Sequence, residues 1–226
     1  MRLKHAIDER DQIARQREDF VSWMTHDLRT PIVAAERMLT LFQQGALGEL
    51  SPAMHEAITT MARSNRNLLA MVNTLLEVYR YEAGRKTLSF SPISLKEVVE
   101  EVIQELSPLA EEKNLSLKYE IGEKVNTKVV GDRLEIHRVF TNLIGNAIKF
   151  TDTGSVEVRL SNNPHPSAPD TLLSVEVQDT GPGVSPEDQK RLFERFRQGS
   201  HKRSGSGLGL HLSRRIVETH QGTIEI

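Results

Sequence analysis

His26 has neighbours that could support a nucleophilic role for its imidazole. Asp27 follows it directly, Thr30 comes one helical turn later, and Pro31 is next. Neutral imidazole is a nucleophile near pH 7, and an adjacent carboxylate can hold the other ring N–H and stabilise developing positive charge. Pro31 removes a backbone donor, so a helix through it should kink or loosen. The alternative is an ordinary surface histidine, the commoner case for a single histidine on a helix.

Three polar residues share one face of a later predicted helix. Asn142, Asn146 and Lys149 are spaced i, i+4 and i+7, and apolar residues cover the core side. A carboxamide oxygen is a hard ligand suited to Mg²⁺, and a lysine can reach a phosphate. The face is therefore a candidate site for a magnesium-bound phosphate. Its alternative is a plain solvated stripe.

An aspartate ends a predicted strand just before two glycines, in the segment Asp179-Thr-Gly181-Pro-Gly183. Glycines allow a sharp turn and the close approach of a ligand. The Asp179 carboxylate could accept a hydrogen bond from an exocyclic amine such as that of adenine. The alternative is an ordinary Asp/Gly turn.

A second glycine-rich segment, Gly205-Ser-Gly207-Leu208-Gly209, precedes another predicted helix. Backbone N–H groups and the start of that helix can face a phosphate. The segment is neither a Walker loop, which needs Gly-Lys-Ser/Thr, nor a Rossmann fingerprint, which follows a strand. The polar stretch 185–204 before it is predicted to be a mobile lid or an exposed loop, two compatible interpretations.

Heptad patterns predict the helices that would position His26. Over Leu3–Phe42 the seam residues alternate at steps of four and three, which assigns His26 to the solvent-facing f position. A second seam covers Met54–Tyr79 after a glycine-containing connection. Ser51 and Pro52 just before it are typical of a helix N-cap followed by proline at the first helical position.

Residues 1–83 are thus predicted to form a long helical hairpin. Two helices with long apolar stripes cannot bury them alone, whereas two hairpins can do so in a four-helix bundle. We therefore expect a homodimer. The alternative is a hairpin within one chain that packs on the second half.

After Gly84 the pattern changes to a mixture of helices and strands. Helices are predicted over 94–114, 132–150 and 206–220, and strands over 115–121, 156–160 and 172–177, with another strand beginning at 223. This mixture predicts an α+β fold in which a sheet carries helices on one face. The chain then divides into a helical hairpin, residues 1–85, and an α/β sandwich domain, residues 86–226.

Five motifs in order resemble those of the histidine kinases. They are the H-box at His26–Pro31, the N-box at Asn142–Phe150, the G1 box at Asp179–Gly183, the F-box at Phe193–Phe196 and the G2 box at Gly205–Leu210. The resemblance covers nearly the whole chain. It implies a dimerisation and phosphoacceptor hairpin followed by the ATP-binding domain shared with Hsp90, gyrase B and MutL.

The resemblance implies an enzyme that uses ATP to phosphorylate its own His26 and passes the phosphate to an aspartate of a response-regulator receiver domain. The catalytic residues would be His26, Asp27 and Thr30, with Thr30 serving a phosphatase reaction on the partner. Nucleotide binding would fall to Asn142, Asn146, Lys149, Asp179, Gly181, Gly183, Gly205, Gly207, Leu208 and Gly209, and Asn146 would also hold Mg²⁺. Within this set, Asp179 would hold adenine and Lys149 would stabilise the charge of the transferring phosphate.

The sequence departs from the family pattern at two places. Glu135-Ile-His-Arg138 stands where the family often has Arg-Leu-x-Gln, and Ser204 stands where the G2 box often has another glycine. Three rival functions stay open: a catalytically weak dimeric scaffold that binds nucleotide, a core in which the phosphatase dominates, and an ATP-driven clamp. The clamp would leave the hairpin unexplained.

The composition sets the remaining expectations. A net charge of -2 is not the basic excess that is typical of nucleic-acid binding proteins. The absence of cysteine excludes disulfides and cysteine metal sites. No apolar run approaches the roughly 20 residues that span a bilayer. We expect no membrane segment in this chain and a cytoplasmic location, with a parent protein that could be anchored in the membrane. An input domain before residue 1 and a missing last strand after Ile226 are further expectations.

Overall fold

The computed structural model describes residues 27–122, 125–162, 173–197 and 206–226. The chain divides into two compact units, Met1–Lys86 and Thr87–Ile226. The predicted site residues His26 and Gly205 lie outside the described residues. Within the described residues, no helix is both long enough and apolar enough to cross a membrane.

The first unit contains the predicted helical hairpin. Helix α1 covers residues 27–43, and α2 covers Pro52–Glu82. The predicted start of α2 is confirmed, because the Ser51 hydroxyl accepts a hydrogen bond from the Met54 N–H and Pro52 opens the helix. Gly45 in the connection has a φ of 72° and Gly48 one of 111°, a conformation that other residues seldom adopt.

The two helices pack through a face that the predicted seam of α1 does not include. Ile32 and Leu39, seven residues apart, are both only 8% exposed. The seam residues Leu28 and Met38 are 45% and 49% exposed. In α2 the buried residues are Ala62, Val72, Leu76 and Val78. The heptad seam of α1 is therefore left largely uncovered by the hairpin itself.

Two asparagines of α2 fix its register against α1. The Asn65 amide nitrogen donates to the Ile32 carbonyl and to the Glu36 carboxylate, both at 2.9 Å. The Asn73 side-chain oxygen accepts from Arg29 at 2.6 Å. A polar side chain in a helical interface has its partners in one register only, so a slip of either helix would break these bonds.

The second unit combines two small sheets with helices. In chain order its elements are β1 (Ser91–Ser94), α3 (Leu95–Glu112), β2 (Ser116–Ile121), β3 (Lys128–Gly131), α4 (Arg133–Phe150), β4 (Ser155–Ser161), β5 (Ser174–Asp179), α5 (Pro186–Gln189) and α6 (Gly209–Thr219). Strand β1 pairs antiparallel with β3. The other sheet has the order β2-β4-β5, with β2 and β4 parallel and β4 and β5 antiparallel.

The core of this unit lies between α3, α4 and the three-stranded sheet. Strand β4 supplies Val156, Val158 and Leu160 to it in strict alternation, as a strand with one buried face should. Helices α3 and α4 supply most of the remaining buried side chains, among them Val98, Val102, Phe140 and Ile144. The α+β expectation is confirmed, and α4 lies at the centre of the unit because it contacts α3, α6 and the sheet.

Some local expectations differ from the structure. Residues 223–226 form no strand, so the prediction of a strand there is wrong. Their alternating pattern is only a preference, because a strand exists through backbone pairing with a neighbour. Helix α6 begins at Gly209 rather than at Ser206, and the short elements β1, β3 and α5 were not predicted.

Candidate functional site

The Asp179 carboxylate lies at the end of β5, with its two oxygens in different surroundings. Its Oδ1 accepts a hydrogen bond from the Gly181 N–H at 2.8 Å and a long one from the Thr151 hydroxyl at 3.5 Å. These contacts do not use Oδ2. The residue is exposed, whereas Thr151 is fully buried. One oxygen is thus held by the protein, and the other can face a ligand.

Thr180 fastens this turn to the loop that follows α4. Its hydroxyl accepts from the Ser155 N–H at 3.0 Å and lies 3.1 Å from the Thr153 carbonyl, to which it can donate. A Cβ added at Gly154, whose φ is 108°, would overlap the same hydroxyl. The position of Asp179 therefore depends on close packing between the end of β5 and the α4–β4 connection.

The polar face of α4 begins with two linked side-chain amides. Asn142 donates to the Ser213 hydroxyl of α6 at 2.9 Å. Asn146 donates through its nitrogen to the Asn142 oxygen at 3.5 Å, a contact that does not use the Asn146 oxygen. Lys149, one turn further on, has its ammonium 5.2 Å from the centre of the Phe150 ring. The predicted face is present, and its first member also ties α4 to α6.

Two glycines at the start of α6 allow close backbone packing. A Cβ on Gly209 would overlap the Asn142 side-chain oxygen. A Cβ on Gly207, whose φ is 66°, would lie 2.5 Å from the Arg197 carbonyl oxygen. Leu208 between them is fully buried. The segment is therefore held between α4 and the Phe193–Phe196 region, and no larger residue fits either glycine position without movement.

His211 and Arg214 join the start of α6 to Phe193, and sequence reasoning missed both. His211 is 9% exposed, and its Nδ1 lies 2.8 Å from the Phe193 carbonyl oxygen, so Nδ1 carries the proton and donates. The Arg214 guanidinium lies 5.7 Å from the centre of the Phe193 ring. The only sequence signal was their position in the first turns of a helix that follows the glycines.

Asp132 fixes the other end of α4. Its carboxylate accepts from the Leu134 and Glu135 N–H groups as an N-cap and from the Ser89 N–H at 2.8 Å. Burial raises the pKa of this carboxyl, but these three backbone N–H groups lower it more, so its pKa is below the usual range. The His220 Nε2 accepts from the Asp132 N–H at 2.9 Å.

The structure gathers most of the predicted nucleotide residues around α4. Its amides contact the start of α6, and Thr151 just after it contacts Asp179. From residue 142 to residue 151 a helix rises about 14 Å, so the two glycine segments lie near opposite ends of one polar stretch. Gly183 has a φ of 73° and open space around it. Asp27 and Thr30 belong to the other unit, where both are exposed on α1.

The described residues of this site hold no metal cage built from protein side chains alone. Among the described residues, no three His, Asp or Glu side chains are grouped so that they could hold a metal ion. Mg²⁺ at nucleotide sites usually takes few protein ligands and completes its shell with phosphate oxygens and water. The Asn146 side-chain oxygen, which the contact with Asn142 does not involve, fits that pattern as a single protein ligand.

Two known families match successive parts of the chain. Residues 16–84 match the His Kinase A (phospho-acceptor) domain. Residues 131–226 match the histidine kinase-, DNA gyrase B- and HSP90-like ATPase. The two matches occur in the order that a histidine kinase core requires. The chain belongs to the histidine kinases.

Curated relatives of this kinase chain match almost all of it. The signal transduction histidine-protein kinase BarA of Escherichia coli strain K12 is 36% identical over 221 residues, which are 94% of this chain and 23% of BarA. The sensor protein GacS of Pseudomonas syringae pv. syringae is 32% identical over 221 residues, 95% of this chain and 24% of GacS. The chain therefore spans about a quarter of the length of these relatives.

Solved histidine kinases have the same fold as this chain. Full-length ShkA, crystallised in complex with AMPPNP, has a TM-score of 0.72 and 29% identity, covering 88% of this chain and 40% of ShkA. The histidine kinase AdeS of Acinetobacter baumannii has a TM-score of 0.60 and 24% identity, covering 88% of this chain and 89% of AdeS. The AdeS likeness bears on the fold alone.

Proposed function

We propose that the chain binds ATP and autophosphorylates His26, and that it then passes the phosphate to an aspartate of a response-regulator receiver domain. The observation that carries the proposal is that α4 joins Asp179 at one end to the Gly207–Gly209 segment at the other. The AMPPNP complex of ShkA, whose fold is similar, supports the binding of an adenine nucleotide. Residues 1–85 would act as the phosphoacceptor domain and residues 86–226 as the ATP-binding domain.

Each end of the site suits one part of ATP. The Asp179 Oδ2, which the contacts with Gly181 and Thr151 do not involve, would accept from the adenine amine beside the turn of Gly181 and Gly183. Within the described residues no side chain caps the start of α6, so the first N–H groups of this helix can bind phosphate oxygens. The phosphate contacts would come from Asn142, Lys149, Gly205, Gly207, Leu208 and Gly209.

Mg²⁺ bound through Asn146 would neutralise phosphate charge. The chain's own groups then carry the rest of the chemistry, in which an imidazole nitrogen of His26 forms a bond to the γ-phosphorus as the bond from phosphorus to the ADP oxygen breaks. Asp27 would hold the other ring N–H and stabilise the positive imidazole. Lys149 would stabilise charge on the moving phosphoryl group. Thr30 would place the attacking water when the phosphorylated regulator is dephosphorylated.

Labelling with γ-³²P-ATP tests the proposal directly. The full chain should incorporate a phosphoryl group that acid releases and base does not, as expected for phosphohistidine. His26→Ala should abolish the label. The matched control is His55→Ala, because His55 is an exposed histidine on α2 in the same unit. Equal labelling of His26→Ala and the native chain would remove His26 from this role, and a native chain that binds ATP without labelling would favour the scaffold function.

The partners follow from the same proposal. The receiver domain of a response regulator would accept the phosphate, and a second copy of this chain would complete the four-helix bundle. Because ATP is the substrate, the chain would work in the cytoplasm.

A further inference from the structure

The Lys113 ammonium is bound at the C-terminal end of α4, far from its own place in the sequence. Its Nζ donates to the carbonyl oxygens of Ile148 at 2.7 Å, Lys149 at 3.0 Å and Thr151 at 2.6 Å. An ammonium has three protons, and here each has a backbone acceptor. Lys113 is itself the C-cap residue of α3, so one residue joins the ends of two helices.

These contacts stabilise the C-terminal end of α4. The last carbonyls of a helix have no partner within the helix, and the helix dipole places partial negative charge there. A cation supplied from another helix satisfies both needs in one place. It also fixes the Thr151 carbonyl just beyond the helix, where the chain would otherwise be free to turn in several ways.

Thr151 links Lys113 to Asp179, because it contacts both residues. Its backbone is held by Lys113, and its buried hydroxyl contacts the Asp179 Oδ1 at 3.5 Å. The turn after Asp179 rests on the same segment, because a Cβ on Gly181 would lie 3.3 Å from both the Phe150 carbonyl oxygen and the Thr151 hydroxyl. The end of α4 is therefore the support on which the Asp179 turn lies.

We propose that Lys113 is a positioning residue for recognition of the adenine amine, acting through the end of α4 on the Asp179 carboxylate. This inference rests on the proposed binding of adenine nucleotides. Lys113 does not touch the nucleotide. It fixes the orientation of Asp179, so its loss should weaken the contact with the 6-amino group and leave the phosphate contacts at the start of α6 largely intact.

A residue that only stabilised the fold would have a different signature. Its loss would lower the melting temperature and weaken the binding of every nucleotide to a similar degree. A positioning role predicts a selective loss that depends on the 6-amino group. The ratio of two affinities, for ADP and for purine riboside 5′-diphosphate, separates the two roles because these probes differ only in that amino group.

The experiment measures both dissociation constants by calorimetry with Mg²⁺ present, at a temperature below the melting transition of each variant. The native chain should bind ADP about tenfold more tightly than purine riboside 5′-diphosphate, as expected for a hydrogen bond to a charged group. Lys113→Met should weaken ADP binding by most of this tenfold difference. Its affinity for purine riboside 5′-diphosphate should change little. Lys113→Arg, which keeps a cationic donor, should restore most of the ratio.

Lys118→Met is the matched control, since Lys118 is an exposed lysine on β2 in the same unit, and its ratio should equal the native one. If Lys113→Met does not fold, Lys113→Gln, which keeps two donor protons without the charge, takes its place. If the folded Lys113 variant has the same ratio of affinities for ADP and purine riboside 5′-diphosphate as the native chain, the inference is overturned and the proposed function stays intact. Failure of the native chain to bind ADP, or to prefer it, overturns the adenine role of Asp179 together with the inference.

Discussion

At the scale of single residues, the proposed role of Asp179 depends on the different surroundings of its two carboxylate oxygens. Oδ1 is occupied by the Gly181 N–H and approached by the Thr151 hydroxyl, whereas these contacts do not use Oδ2. The turn presents a donor, and in the proposed complex the adenine amine presents another, so the residue has to accept a hydrogen bond on both sides. Both oxygens of a carboxylate accept hydrogen bonds, whereas a carboxamide has one accepting oxygen and one donating NH₂ group.

Asp179→Asn should therefore weaken ATP binding by about tenfold to a hundredfold, the range expected when a charged hydrogen bond is lost. Whichever way the amide turns, its NH₂ group faces either the Gly181 N–H or the adenine amine. Titration calorimetry with the non-hydrolysable analogue AMPPNP measures the change. Glu176→Gln on the same strand, an exposed carboxylate, should bind as the native chain does. Unchanged affinity in Asp179→Asn would remove this residue from the adenine role.

At the scale of elements, α4 is fixed at both ends by residues distant in sequence. Asp132 caps its start and holds Ser89, which comes from the segment leading into β1. The Asp132 N–H is held in turn by His220 just after α6, whose other nitrogen donates to the Ile216 carbonyl at 2.8 Å. The helix that bears the polar face is thus anchored by contacts within the protein itself.

Asp132→Ala should lower the free energy of unfolding by about 1 to 2 kcal/mol at neutral pH, the usual cost of losing an N-cap. Since the pKa of Asp132 is below its unfolded value of about 3.9, its contribution is present above that pH and is lost as the pH falls through the folded pKa. The difference between native and variant chains should therefore shrink on acidification, measured by urea unfolding at several pH values.

Ser94→Ala is the control for this pH dependence. Ser94 caps α3 by accepting from the Glu97 N–H at 3.4 Å, and a hydroxyl does not titrate in this range. Its loss should cost a similar free energy at every pH. A difference for Asp132→Ala that is as constant as that of Ser94→Ala would contradict the role of the ionised carboxylate.

At the scale of the whole molecule, the hairpin exposes a regular apolar row. Met54, Met61 and Leu68 follow one another at seven-residue intervals on α2, and all three are exposed. On α1 the seam residues Leu28 and Met38 are exposed as well. Rows of this kind are what a second hairpin covers in a four-helix bundle, so the surface supports the proposed homodimer.

Met61→Lys should raise the dimer dissociation constant by more than about a hundredfold, because a symmetric interface receives the unpaired charge twice. Met61 is 59% exposed in the single chain. Sedimentation equilibrium measures the change. Val130→Lys is the control, since Val130 is 68% exposed on β3 in the other unit and should leave the dimer unchanged. Equal dimerisation of both variants would place the interface elsewhere.

Features that depend on local spacing could be predicted from the sequence alone. The face of Asn142, Asn146 and Lys149 follows from the helical repeat, and the start of α2 follows from Ser51 and Pro52, because these patterns involve residues only a few positions apart. Asp179 at a strand end before glycines was readable for the same reason. The strand predicted over 156–160 likewise lies within β4.

Contacts between residues far apart in the sequence could not be predicted, and the fold alone shows them. Lys113 reaches the carbonyls of Ile148 to Thr151 across 35 to 38 positions of sequence, and His220 reaches Asp132 across 88. No periodicity encodes such pairs, because they arise when α3, α4 and the sheet bury their apolar faces together and bring polar ends into contact. The same cause explains the error at residues 223–226, where alternation was present but the pairing that makes a strand was not.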